Sequence, residues 1–156
     1  MEVRFNVAGR IAKPVHEVFE AVANPEHLSH FFTTGGAKGR IETGATVMWD
    51  FHDFPGAFPV WIEEVIPDEK IVLRWQAAEG TISSTEDGSN AMTTVEMTFT
   101  PLEDDRTLVE IIEYGWDDSE QGYEAAFGNC VGWTGMLAAM KAWLEYGINL
   151  REGFYV

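Results

Sequence analysis

A chain of 156 residues that is 46% apolar has room for one compact domain, able to bury about two-thirds of its unfolded surface, and none for a second. Ten Lys plus Arg stand against 26 Asp plus Glu, and the net charge of -16 repels phosphate backbones and anionic lipid surfaces, which excludes nucleic acid as an expected partner. The single cysteine, Cys130, rules out an internal disulfide, and no apolar run approaches the roughly 20 residues of a membrane span.

The opening stretch MEVRFNVAGRI has no apolar segment behind a basic one, so no signal peptide is expected and the protein reads as cytoplasmic. Within it, RFNVAGRI alternates as a strand does. Lys13-Pro14 then opens a short helix, VHEVFEAVA, which must stop before Asn24-Pro25 because a residue preceding proline avoids helical geometry. PEHLSHFF, residues 25–32, is expected to form a second short helix. GGAKGR, residues 35–40, lacks the register of a phosphate-binding loop and reads as a flexible connector. GATVMWDFHD, PVWIEEVI, KIVLRWQA, MTTVEMTFT and RTLVEIIEYGW follow, rich in β-branched and aromatic residues and separated by Gly, Pro or Asp. They predict an antiparallel meander, interrupted at residues 79–90 by the polar, acidic stretch EGTISSTEDGSN, read as a long hairpin loop.

The last element is one long helix over about residues 119–148, with Ser119 as its amino-terminal cap and Glu120 beside the positive end of the dipole. At 100° per residue, Ala126, Cys130, Trp133, Leu137, Met140 and Leu144 share a face, flanked by Met136 and Trp143. Such a stripe either fills a core or lines a pocket. Opposite it lie Val131, Gly135, Ala139, Ala142 and Tyr146, small or apolar where a solvated helix carries Lys and Glu, so either these residues are simply exposed or a second copy packs there. The chain is accordingly expected to be a monomer or a weak homodimer.

The order of strand, two short helices, antiparallel strands and long terminal helix resembles the helix-grip α+β fold of the START and Bet v 1-like (SRPBCC) superfamily. The closest likeness is to its branch of activator of Hsp90 ATPase homologues. It is carried by AKPVHEVFEAVANPEHLSHFF, ETGATVMWDF, EEVIPDEKIVLRW, MTTVEMTF with RTLVEIIEYGW, and GWTGMLAAMKAWLE, which together span nearly the whole chain. The chain departs from the branch at Thr43-Gly44, where members show Gly-Gly, and near His30-Phe31, where they often have a tryptophan. The resemblance implies a single domain over residues 1–156, a curved sheet of about six or seven strands around the long helix, and a cavity between helix and sheet.

Strand alternation selects the side chains that would line such a cavity. Trp49 and Phe51 share a face with Val47; Trp75 with Ile71 and Leu73; Met97 and Phe99 with Val95; and Val109 and Ile111 lead to Glu113, a carboxylate continuing an apolar row. With Trp133, Met136, Leu137 and Met140 from the helix these are the candidate lining residues. Glu113 stands out because desolvation raises a carboxyl pKa unless Arg74, a tyrosine or water satisfies it. A bulge near Gly115 would instead turn it outward. In PVWIEEVIP the phase is ambiguous, with Trp61, Glu63 and Val65 on one face and Val60 and Ile62 on the other.

No catalytic constellation emerges. His16, His27, His30 and His52 form no HExxH or HxH pair, so no metal or other cofactor is expected, and Cys130 has no basic neighbour in sequence to activate it. The expected function is binding of a small hydrophobic or amphipathic molecule. The alternatives are a protein-interaction module, as the Hsp90-activator likeness implies, and a cyclase or hydrolase using a pocket acid.

Overall fold

The computed structural model describes residues 2–83 and 91–156; residues 84–90, most of the expected hairpin loop, lie outside the described residues. Seven strands form one antiparallel sheet: β1 (Glu2–Ile11), β2 (Gly36–Lys38), β3 (Thr46–Phe51), β4 (Phe54–Ile66), β5 (Lys70–Gln76), β6 (Met92–Leu102) and β7 (Arg106–Asp117). Their spatial order is β1-β7-β6-β5-β4-β3-β2, so the chain is a meander from β2 to β7 and the first strand returns to pair with the last. Helices α1 (Val15–Ala23) and α2 (Pro25–Leu28) follow β1, and α3 (Glu120–Tyr146) follows β7 and packs against β1 and β7. This is the helix-grip arrangement.

Local chemistry sets the boundaries of α3. Ser119 accepts a hydrogen bond from the Gly122 amide at 3.0 Å, and Gly147, at φ 67° and ψ 23°, closes the helix in the left-handed conformation that glycine adopts without a Cβ penalty. The helix is therefore two residues shorter at its carboxyl end than expected. α2 ends at Leu28 rather than Phe32, because the Ser29 hydroxyl donates to the Pro25 carbonyl at 2.8 Å and Phe31 and Phe32 turn inward to be buried. GGAKGR is not merely a connector: Gly36–Lys38 forms an edge strand whose Ala37 faces Trp49 on β3. β4 also begins earlier than PVWIEEVI implies, at Phe54.

The ambiguous phase of β4 resolves with Val60 and Ile62 buried and Glu63 and Glu64 exposed. A register irregularity between Ile62 and Glu64 then returns Val65 to the core, so two glutamates in succession remain in water without costing the strand its apolar face. The core is continuous from α1 to α3 and holds Trp49 and Trp133; a second, smaller cluster of Val3, Trp116 and Ala126 closes the end near the start of α3.

Candidate ligand site

Four inward rows meet beneath the first half of α3. β3 contributes Trp49 and Phe51, β5 contributes Trp75, β6 contributes Thr93 and Val95, and β7 contributes Ile111 and Glu113; the register sets Val95 opposite Glu113 and Thr93 opposite Trp75. The expected bulge does occur, with Gly115 at φ 122° and a register shift against Val3 and Arg4, but one step beyond the position that would have mattered. Glu113 stays inward and the phase change brings Trp116, not Gly115, into the core.

Glu113 has no solvent exposure. Its Oε1 accepts from Trp133 Nε1 at 2.9 Å, and its Oε2 accepts from Trp75 Nε1 at 2.8 Å and from Thr93 Oγ1 at 2.7 Å. Asn129 Nδ2 is shared between the two oxygens at 3.1 and 3.0 Å. An indole N–H and an amide NH2 can only donate, so Trp75, Trp133 and Asn129 each require an acceptor and only the Thr93 hydroxyl could accept a hydrogen bond in return. Burial pushes the Glu113 carboxyl above its ordinary value of 4.5, while the bonds from Thr93, Trp75, Trp133 and Asn129 pull against that rise. Arg74 takes no part; its Nε lies 3.6 Å from Glu63 on the other face of the sheet.

Two of these donors escaped the sequence reading. Thr93 is in phase with Val95, two residues on, and Asn129 is one helical turn before Trp133. Periodicity therefore carried a signal for both, but their weak hydrophobicity hid them in a search for apolar rows.

Around the carboxylate the aromatic rings touch. Trp75 contacts Trp49 and Trp133 at centroid distances of 5.8 and 5.4 Å, and Phe32 sits among Trp49, Phe51 and Trp133 at 5.4, 4.9 and 5.0 Å. Phe58 joins from β4, 5.8 Å from Phe51 and 6.1 Å from Trp75. Where the internal cavity was expected, the rings pack on one another, with Phe32 touching three of them. Surface grooves among the described residues include one of about 420 Å³ between β1 and α3, lined by Val7, Gly9, Leu137 and Lys141, and one of about 610 Å³ beside Glu2, Asp117 and Asp118.

Of the sequence candidates, Trp49, Phe51, Trp75, Glu113 and Trp133 form this cluster. Phe99 packs instead against Phe19 of α1 at 5.5 Å, and Leu137 lies over Gly9 of β1. Met97, Ile111, Met136 and Met140 are buried in the shared core. Among the histidines, His16 pairs with Asp68 at 2.9 Å, His30 stacks on Trp143 at 4.2 Å, and His27 and His52 are exposed. Among the described residues no group of His, Cys, Asp and Glu has the geometry of a metal site. Cys130 is a free, half-buried thiol.

The strip on the other side of α3 is covered only in part, since Val131 and Tyr146 remain exposed. Ala139 is only 2% exposed and belongs to the core, and Gly135 is covered by Tyr155 from the chain's own terminal segment. The chain thus folds back and covers part of the strip itself.

A model of the family described as activator of Hsp90 ATPase homolog 1-like proteins matches residues 12–145, from the end of β1 to the last turn of α3. The chain belongs to this family. Solved structures similar to this Hsp90-activator-like chain include protein SSP2350 from Staphylococcus saprophyticus, at 23% identity and a TM-score of 0.76, with 96% of each chain covered. The solution structure of the Aha1 dimer from Colwellia psychrerythraea is similar at 19% identity and a TM-score of 0.68, covering 93% of this chain and 98% of that one. DynU16, a putative protein in the dynemicin biosynthetic locus, matches at 24% identity and a TM-score of 0.74 over 95% of this chain but 49% of its own. These likenesses establish the fold. No curated protein matches the sequence. No helix among the described residues is long and apolar enough to cross a membrane.

Proposed function

We propose that this protein binds a small apolar or amphipathic molecule against the aromatic cluster over Glu113. The observation that carries the reading is the buried carboxylate with donors converging from β5, β6 and α3. Burying a charge is expensive and an apolar residue of similar volume commonly serves stability as well or better, so fold maintenance alone does not account for it. Its effect is to hold the Trp75 and Trp133 indoles by their N–H edges, leaving their faces as an oriented aromatic wall. With its lone pairs taken by protein donors, Glu113 orients this wall rather than gripping the ligand directly. The ligand takes the space now held by the Phe32 ring, which swings aside. A flat or polycyclic hydrocarbon surface is the chemistry such a wall recognises.

Thermal-shift screening of apolar aromatic compounds tests this. A ligand at 100 times its Kd stabilises by about 2.7 kcal/mol, roughly 5–10 °C for a chain of this size. Hits should perturb tryptophan emission and bind more tightly to a Phe32→Leu variant, in which that side chain is smaller. Absence of any stabilising compound, or hits indifferent to Phe32→Leu, would remove the reading.

A further inference from the structure

The segment after α3 reverses direction at Gly147 and runs back along the helix. Tyr155 reaches Gly135, twelve residues before the turn and so about 18 Å back along the axis at 1.5 Å per residue. A Cβ at Gly135 would lie 2.5 Å from the Tyr155 hydroxyl oxygen, so the glycine forms a notch for that hydroxyl. Between these points Arg151 Nη2 donates to Asp53 Oδ1 at 2.6 Å, in the turn joining β3 to β4. The guanidinium carbon is 4.9 Å from the Tyr155 ring centroid and 5.9 Å from that of Phe51. Arg151 is only 8% exposed, the one charged residue besides Glu113 that is buried among the described residues.

Residues 147–156 thus span from one wall of the candidate site, α3, to the other, the β3–β4 turn. The ring beneath the latch, Phe51, touches Phe32, and Phe32 touches Trp133. We infer that this segment is a strap that gates entry of small molecules to the aromatic cluster, with Arg151 and Asp53 as its latch and the Gly135 notch as its far anchor. The inference rests on the binding reading above for its purpose, though not for its measurement. A charge-assisted hydrogen bond in a partly desolvated site holds the strap closed, and the Arg fork resting between two rings is a geometry that lysine does not reproduce. The strap also lies outside the sheet and α3, so opening it leaves the fold intact.

The test measures entry in two ways on the full chain. Acrylamide quenching of tryptophan emission reports access irrespective of any ligand, and the association rate of N-phenyl-1-naphthylamine reports access by an apolar molecule. Arg151→Ala should raise the open population roughly tenfold, increasing both readouts, with Arg151→Lys between it and the parent. In a Cys130→Ser background, Asp53→Cys with Arg151→Cys joined by bis-maleimidoethane should suppress both. Quenching that tracks the strap while naphthylamine binds no form would keep the gate and remove the binding reading. Equal quenching in the open, parental and cross-linked proteins would overturn the gate, as would naphthylamine entering the cross-linked form at the parental rate.

Discussion

Glu113→Gln separates the cost of the buried charge from the value of its hydrogen bonds. The wild-type carboxyl is surrounded by two indole N–H groups, an amide NH2 and the Thr93 hydroxyl, of which only the hydroxyl can also accept. A protonated Glu113 can point its O–H at Thr93, whereas the Gln amide carries two N–H groups and must set one against a donor. Well below pH 4.5, where the group is protonated in the folded and unfolded chains alike, the variant should therefore be less stable by about 1–2 kcal/mol. As pH rises above 4.5 the unfolded chain loses this proton while the folded chain, its carboxyl shifted upward by burial, retains it. The unfolded state then binds fewer protons, so wild-type stability falls with pH by up to about 1.4 kcal/mol per unit until the folded carboxyl also ionises. Gln has no such dependence. Urea unfolding of both proteins between pH 4.5 and 8, followed by tryptophan emission with the m-value checked for constancy, gives the difference with all other titrations cancelled. The gap should close as pH rises. A gap that widens would mean that the donors outweigh burial and hold the carboxyl down; a gap independent of pH would mean that Glu113 is not buried as described.

Two further substitutions probe the framework of the site. Gly115→Ala forces a side chain into φ 122° against the Met92 carbonyl at 3.4 Å, and should cost roughly 1–3 kcal/mol in chemical denaturation while disturbing the Trp75 and Trp133 emission through the neighbouring Glu113. Ala139→Glu places a carboxylate in the core rather than at a dimer contact, so sedimentation and circular dichroism should show an unfolded or strongly destabilised chain, with a loss of at least about 3 kcal/mol, instead of a folded monomer released from a dimer.

The sequence by itself determined the inward face of β3, β5 and β6 and the main buried stripe of α3, while the phase of β4 and of the end of β7 stayed open. Period-two rows such as Val47, Trp49 and Phe51, the row Val109 and Ile111, and the 100° stripe through Trp133 follow from backbone geometry alone, and the structure buries them apart from Cys130 and Leu144, which are half-buried. The element order and motifs were enough for the fold, because a long amphipathic helix and a one-sided antiparallel meander have few ways to cover each other. What the tertiary structure decided is which inward residues meet. Glu113 draws its donors from positions 75, 93, 129 and 133, brought together by strand register and by the placement of α3, and neither is encoded in any local period. The Gly115 bulge was legible as a glycine, but whether it fell before or after Glu113 depended on pairing with Val3 and Arg4. The same holds for the space between helix and sheet: periodicity gives the rings a common face, whereas only the tertiary structure sets Phe32 among Trp49, Phe51 and Trp133. On the far side of α3, the small residues left open whether they are simply exposed or covered. That Tyr155 of the same chain covers Gly135 was fixed by the reversal at Gly147 and the reach of Arg151 to Asp53, long-range geometry that a helical wheel does not contain.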